Sequence, residues 1–325
     1  MTDISVVMPL FTGEAYLAEA IESILNQSFS NFELIIVCEY GSSEKCLEIA
    51  EEYAKKDSRI ILVHNSERLG ISESINIGMR MAEGKYIARM DSDDISGIHR
   101  FKYQKEFMDT YTDIGICGTK HTVIGAPHWL VDYYADPKQI KSELLFFVPL
   151  RHPTIMMRKS VIESNQLYYD KNIPGAEDYD FFIRASRITQ LSNLMDKELF
   201  AYRRAEGNVS ALNKERDTDI RISLMKNLLV DDLHLYFDDK DINNMVITTV
   251  KEYDESLLRE LEEAVLKIVE QNELLGVYDH NALCKTMIHR WHREKYSIDL
   301  RFKNKPPQDL INCWRQGVYY RSWME

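Results

Sequence analysis

Three carboxylates crowd into four residues at Asp91-Ser92-Asp93-Asp94, directly after the apolar run Tyr86-Ile87-Ala88-Arg89-Met90. Like charges so close repel one another unless a cation or a set of donors neutralises them, and a hard divalent metal ion does so directly. A second acidic group follows at Gly175-Ala176-Glu177-Asp178-Tyr179-Asp180, where a glycine loop gives way to an amphipathic helical pattern. Each group alone has a plain structural use. Asp-rich turns bond their own backbone, and acids in a first helical turn answer the macrodipole. Together they divide into one set that holds a cation and one that takes a proton.

Positioning such groups requires a rim, and the sequence supplies one. Apolar runs of strand length at Ile4–Leu10, Phe32–Val37, Ile60–Val63 and Lys85–Met90 alternate with helical periodicities carried by Tyr16, Leu17, Ala20, Ile21, Ile24 and Leu25, then by Leu47, Ala50 and Ala54, then by Ile75, Met79 and Ala82. The third helix is expected to span Ser72–Glu83 and to end on Gly84 as a C-terminal glycine. Strands alternating with helices imply a parallel, doubly wound α/β sheet whose ligands sit at the carboxyl ends of the strands, where Asp91 emerges. A dinucleotide-binding fold is excluded, because Pro9-Leu10-Phe11-Thr12-Gly13 follows the first strand with no Gly-x-Gly-x-x-Gly, and no Walker loop is present either. Phosphates bound here must be neutralised in another way, and an acidic cluster holding a metal provides one.

Past Arg100 the pattern predicts a helix through Phe101, Lys105 and Met108, a strand over Ile114–Val123, a helix over Ile140–Phe147, a strand over Arg151–Arg158 and a short helix over Lys159–Ser164. From Glu215 only helical repeats remain (Ile220, Leu224, Leu228; Leu257, Leu261, Val265, Ile268), so the chain divides into 1–213 and an appended helical domain, 214–325. That domain reads as an acceptor-side lid or a dimer surface.

The chain of 325 residues is 45% hydrophobic with a net charge of −12, which suits a folded protein and excludes a general nucleic-acid binder. The charge is uneven: from Leu283 onward nine Lys/Arg stand against four Asp/Glu, and between Arg290 and Trp323 cations interleave with aromatic rings. That mixture suits either an anionic bilayer surface or the packing of the helical domain. His289 and His292 lack a third ligand and read as structural. Five scattered cysteines form no metal or disulfide framework, and no run approaches the roughly 18 apolar residues of a membrane span. With Met1–Met8 reading directly as a first strand, a cytoplasmic protein is expected, with peripheral association on the inner membrane face as an extension.

The order of Val6-Val7-Met8-Pro9, Asn26-Gln27-Ser28-Phe29, Glu33-Leu34-Ile35-Ile36-Val37, Gly41-Ser42-Ser43, Asn76-Ile77-Gly78, Gly84-Lys85-Tyr86-Ile87-Ala88, Asp91-Ser92-Asp93-Asp94 and Ala176-Glu177-Asp178-Tyr179-Asp180 resembles family 2 glycosyltransferases of the GT-A fold over residues 1 to 210. The resemblance implies a mixed, mainly parallel sheet flanked by helices. It also implies an inverting transfer from a nucleotide sugar, most often a UDP-sugar, to a hydroxyl of a glycan or lipid-linked acceptor. Within the family the chain looks most like bacterial enzymes that add hexose or N-acetylhexosamine to lipooligosaccharide and capsule.

Carried over residue by residue, Asp91 and Asp93 fall on the Asp-x-Asp motif that holds ribose and a Mn²⁺ or Mg²⁺ bridging the diphosphate, with Ser92 between them and Asp94 sharing the work. Asp178 matches the catalytic base, with Glu177 orienting it or the acceptor, and the two are interchangeable at this stage. Pro9, Phe11 and Glu14 match the nucleotide loop, Arg68 a basic residue near the base or phosphates, Arg100 a position after the acidic loop, and His152 a histidine at the acceptor side. Two departures stand out. Glu39-Tyr40 replaces the family's Asp-Asp before Gly41-Ser42, which bears on recognition of uracil; and Tyr202-Arg203-Arg204-Ala205 lacks the histidine that approaches the metal, leaving water, Glu206, Asn208 or Ser210 to substitute, or Arg203 or Arg204 to contact phosphate. These departures keep open a catalytically inactive sugar-nucleotide-binding subunit. A nucleotidyltransferase would need an N-terminal Gly-rich basic loop, which is missing.

Overall fold

In the computed structural model, which describes residues 2–125, 129–131, 133–204, 214–246 and 255–293, β1 (Ile4–Leu10) is flanked by parallel β2 (Phe32–Cys38) and β4 (Tyr86–Arg89), with β3 (Ile60–His64) outside β2. Helices α1 (Leu17–Leu25), α2 (Glu44–Lys56) and α3 (Ile71–Met81) make the crossovers. Every residue of β2 is buried, as expected for a parallel strand covered on both faces. Its one charge, Glu33, accepts from Ser5 Oγ (2.5 Å) and Glu83 N (2.9 Å).

Beyond β4 the sheet changes sense. The chain runs through β5 (Ile95–Ser96), α4 (Arg100–Thr110), β6 (Ile114–Ile124), β7 (Trp129–Val131), α5 (Pro137–Glu143), a 3₁₀ turn (His152–Thr154), β8 (Met156–Arg158), α6 (Lys159–Ser164), α7 (Glu177–Ser186) and β9 (Gln190–Arg203). The sheet order is β3-β2-β1-β4-β8-β6-β9-β5, with β7 on β6. β8 is antiparallel to both β4 and β6, and β6 is parallel to β9. The result is the expected mixed, mainly parallel α/β sheet.

Three expectations need correction. Arg151–Arg158 is not one strand: Pro153, which lacks an N–H, sits in a 3₁₀ turn closed by Thr154 Oγ1 donating to Arg151 O (2.7 Å), and only Met156–Arg158 pairs. Gly84 is not a left-handed helix terminus, since α3 ends at Met81 and Gly84 has no positive φ. It is glycine because a Cβ there would meet Ser5 N at 2.7 Å and the Ile4 carbonyl carbon at 2.8 Å. Gly84→Ala must therefore push α3's exit off β1; a loss of about 1–3 kcal/mol is expected in urea unfolding, and an unchanged midpoint would contradict it. Third, Gln190–Arg203, for which no element was expected, is a strand, the longest among the described residues.

The chain forms two compact units, 1–137 with 148–217 and 138–147 with 218–325, rather than parting once at 213. Residues 138–147 go with the C-terminal helices α8 (Lys214–Leu233), α9 (Asp239–Val246), α10 (Glu255–Leu275) and α11 (His280–Arg293). Side-chain bonds explain this: Gln139 Nε2 donates to Thr286 Oγ1 (2.8 Å), Lys141 Nζ to Val277 O (3.0 Å), and Lys138 pairs with Asp279 (2.9 Å). Among the described residues no helix is long and apolar enough to cross a membrane. The basic-aromatic stretch from 294, Cys313, and the side chains of His289 and His292 lie outside what is described. Cys38, Cys46, Cys117 and Cys284 are buried and form no disulfide among the described residues.

Candidate functional site

The carboxyl ends of β1, β2, β3 and β4 open on one rim. β1 delivers Pro9 and then Phe11, whose ring lies under the Arg68 guanidinium at 4.7 Å. Glu14, exposed, accepts from Gly13 N (3.3 Å) and Ser43 Oγ (3.5 Å), and its own backbone N–H with that of Gly13 holds its carboxyl below the usual range. Gly13, at φ +112°, lets this loop pass Ser92, whose Oγ donates to Thr12 O at 3.4 Å. Glu39 is buried at the end of β2. It accepts from Leu69 N (3.1 Å), Gly70 N (2.6 Å) and Tyr40 N (2.8 Å), so its charge anchors the loop that carries Arg68. Burial works against that charge, but the backbone donors prevail and its pKa falls.

At the end of β4, the ligand oxygens of Asp91, Asp93 and Asp94 lie within 4.8 Å of one another, the only such group of three among the described residues. Burial and then the charge of Asp91 push Asp93 up to about 6, and burial with the charges of Asp91 and Asp93 raises Asp94 well above the ordinary carboxylate range. Asp94 Oδ1 accepts from Arg203 N (2.7 Å), whereas Oδ2 is buried with no partner. A crowded set of hard oxygen donors with one orphaned atom fits a divalent cation. Arg203 also donates to Asp93 O (2.7 Å), pairs with Glu19 (2.5 Å) and lies over Tyr16. It is thus bound to the acidic loop. Residues 205 to 213, including Ala205, Glu206, Asn208 and Ser210, fall outside the described residues.

The second acidic group begins α7. Glu177 accepts from Gly175 N (2.6 Å), and burial followed by the Asp178 charge raises its pKa. Asp178 Oδ1 accepts from Tyr179 N (2.8 Å). Asp180 turns away to an ion pair with Arg184 (2.6 Å).

One residue joins the two groups. Arg89, 2% exposed on β4, sets Nη1 2.5 Å from Asp91 Oδ1. Its charge also helps to hold down the raised pKa of Glu177. Sequence reasoning took Arg89 as one member of an apolar strand; the signal was a cation inside a run that should hold none. Tyr169 packs here too. It is fixed to α3 by reciprocal bonds with Asn76 (2.8 and 2.9 Å) and its OH lies 2.7 Å from His152 Nε2. His152 is buried, and burial plus Arg89 and Arg151 drive its pKa well down, so it is a neutral packing group. Arg100 is fully buried. Its Nη2 donates to Arg89 O (2.9 Å) and Ile155 O (3.2 Å), which makes it a clamp behind the acidic loop.

Residues 5–163 match the family model described as Glycosyl transferase family 2. An uncharacterized glycosyltransferase of Haemophilus influenzae is 32% identical over 266 residues, covering 78% of this chain and 81% of that protein. The O-antigen biosynthesis glycosyltransferase WbnJ of Escherichia coli is 33% identical over 186 residues, 56% of this chain and 70% of that one. Among solved structures, residues 1–349 of S. aureus TarS in complex with UDP-GlcNAc align with a TM-score of 0.63 at 18% identity, over 98% of this chain and 93% of that chain, a likeness of fold.

Proposed function

The chain belongs to glycosyl transferase family 2, and from that premise we propose that it moves a hexosyl or N-acetylhexosaminyl group from a UDP-sugar to a hydroxyl of a glycan or lipid-linked acceptor, with inversion, in the synthesis of a cell-surface polysaccharide. The observation that supports this reading is Arg89, which pairs with Asp91 and whose charge also acts on Glu177, as a single site shared by the cation-holding and proton-accepting acids would require. The UDP-GlcNAc complex of a protein with the same fold supports the donor class.

Asp91, Asp93 and Asp94 would hold Mn²⁺ or Mg²⁺, which when bound supplies positive charge for the leaving diphosphate. Phe11 and Arg68 present a stacked face on the β1–β3 side of the rim, suited to a nucleoside. On the other side, Asp178 receives the proton of the acceptor hydroxyl as its oxygen forms the bond to the anomeric carbon. The anomeric carbon–phosphate oxygen bond breaks and the electron pair leaves with UDP. An unassisted hydroxyl is too weakly acidic at neutral pH, so a placed carboxylate is needed. Glu177, held by Gly175 N, keeps the start of α7 and hence Asp178 in place. Attack opposite the leaving group inverts the centre.

A thermal-shift screen of nucleotide sugars with and without Mn²⁺ tests the donor. A matching UDP-sugar at 100-fold over its Kd adds about 2.7 kcal/mol, which at about 2–4 °C per kcal/mol should raise the midpoint by about 5 °C or more in the presence of Mn²⁺. No shift with any nucleotide sugar would refute the proposal, and binding without turnover would favour the inactive subunit.

A further inference from the structure

Arg151, Tyr202, Tyr133 and His121 form a group of rings and a cation that the transfer chemistry above does not use. The Arg151 guanidinium lies 4.6 Å from the centre of the Tyr202 ring, and Tyr133 and Tyr202 are the ionisable groups that act most on it. His121, fully buried, stacks on Tyr133 at 5.6 Å and meets Tyr202 edge-on at 6.1 Å. Arg151 Nε is buried and without a partner, and no carboxylate among the described residues is in ion-pair range of the guanidinium. Both ring nitrogens of His121 are also buried and unpartnered. Burial, then Arg151, bring the His121 pKa down to about 4, so the imidazole is neutral and adds no charge beside the guanidinium.

A largely buried guanidinium with no anion is costly to keep, and so is a buried N–H with no acceptor. The cost at Arg151 is relieved if a ligand brings the missing oxygens, which accept from the guanidinium; of the two nitrogens of the neutral His121 ring only the one that carries a proton could donate to such an oxygen. Resting on the glycosyl transfer assigned above, we propose that Arg151, with Tyr202, Tyr133 and His121, forms a subsite for an anionic group, a phosphate or a carboxylate, on the saccharide acceptor. The acceptor rather than the donor is favoured because the carboxylate that acts most on Arg151 is Asp178, the proposed base, whereas Asp91, Asp94 and Asp93 act on Tyr202. A stacked Arg matches oxyanion geometry while its ring partner offers a face to the sugar.

Calorimetry on the full chain saturated with UDP and Mn²⁺ tests this, with glucose, glucose 6-phosphate, glucuronate and inorganic phosphate as probes. Glucose 6-phosphate or glucuronate should bind about tenfold or more tightly than glucose, and whichever does so names the anion. Arg151→Gln should erase that preference while leaving the Kd for UDP unchanged, and Arg151→Lys, which keeps charge at the site, should retain part of it and provide a folded control. Equal binding of charged and neutral sugars overturns the subsite, as does inorganic phosphate binding as tightly as glucose 6-phosphate. An Arg151→Gln variant that loses UDP affinity as strongly as glucose 6-phosphate affinity assigns the guanidinium to the donor instead. These failures leave UDP binding by the unaltered chain intact; its loss overturns the donor reading and this subsite together.

Discussion

Asp178→Asn is expected to lower sugar transfer by roughly 10²–10⁴-fold while leaving the Kd for a UDP-sugar unchanged. Asparagine keeps the shape of the side chain and an oxygen that can accept from Tyr179 N, as Asp178 Oδ1 does at 2.8 Å, so α7 should start as before. What the amide cannot do is accept the hydroxyl proton. Glu177→Gln provides the contrast, because the Glu177 carboxylate is bonded to Gly175 N and acts on the reaction through the loop it holds; a smaller loss, on the order of tenfold, should follow. Donor turnover at saturating UDP-sugar, set beside calorimetric binding, separates the two. A Glu177→Gln variant that is dead beside an active Asp178→Asn would exchange the roles of the pair.

Asp93→Asn should abolish the Mn²⁺-dependent part of the donor's thermal shift and, unusually for a loss of function, stabilise the ligand-free chain at neutral pH. Asp93 titrates near 6 when folded, above its ordinary 3.8, because burial and Asp91 disfavour its charge. A carboxyl raised in this way contributes stability below its unfolded pKa, and that contribution is lost as pH rises through 6. At pH 7.5 the folded chain therefore carries the repulsion in full, and an amide relieves it by on the order of 2 kcal/mol after solvent screening. The gain should shrink as pH falls from 7 to 4 and shrink also when Mn²⁺ is added to the unaltered chain. Melting curves at two pH values, with and without Mn²⁺, decide the matter: a variant that melts lower at pH 7.5, or that keeps the Mn²⁺ response, removes these three acids as the cation's holders.

The parallel half of the sheet was legible because each of its strands is a short apolar run between turn residues and each helix shows one apolar face. The acids were legible because charge so dense needs a reason. β9 was hidden by its own irregularity: Leu191, Leu194, Met195 and Leu199 fall at helical spacing, and in the structure the pairing jumps from Thr119–Leu194 to Lys120–Glu198, so residues 195 to 197 interrupt any period of two. Residues 138–147 read as part of the catalytic half because nothing local reveals that Gln139 and Lys141 bond to Thr286 and Val277 far along the chain. Arg89 and Arg151 were overlooked for a related reason. A cation's importance depends on which anions surround it in space, and Arg89 acquires Asp91 and Glu177 only once β4 and α7 are brought together.

β4 is bordered on one edge by a strand running with it and on the other by a strand running against it, Ile4 facing Tyr86 on the first side and Arg158 facing Tyr86 on the second. On the proposed reading this border also divides the work. The nucleotide loop and Arg68 come before it in the chain, whereas the carboxylates that would hold the cation, the proposed base and the proposed acceptor groups all come after it, so one strand forms the seam between gripping the base and breaking the bond.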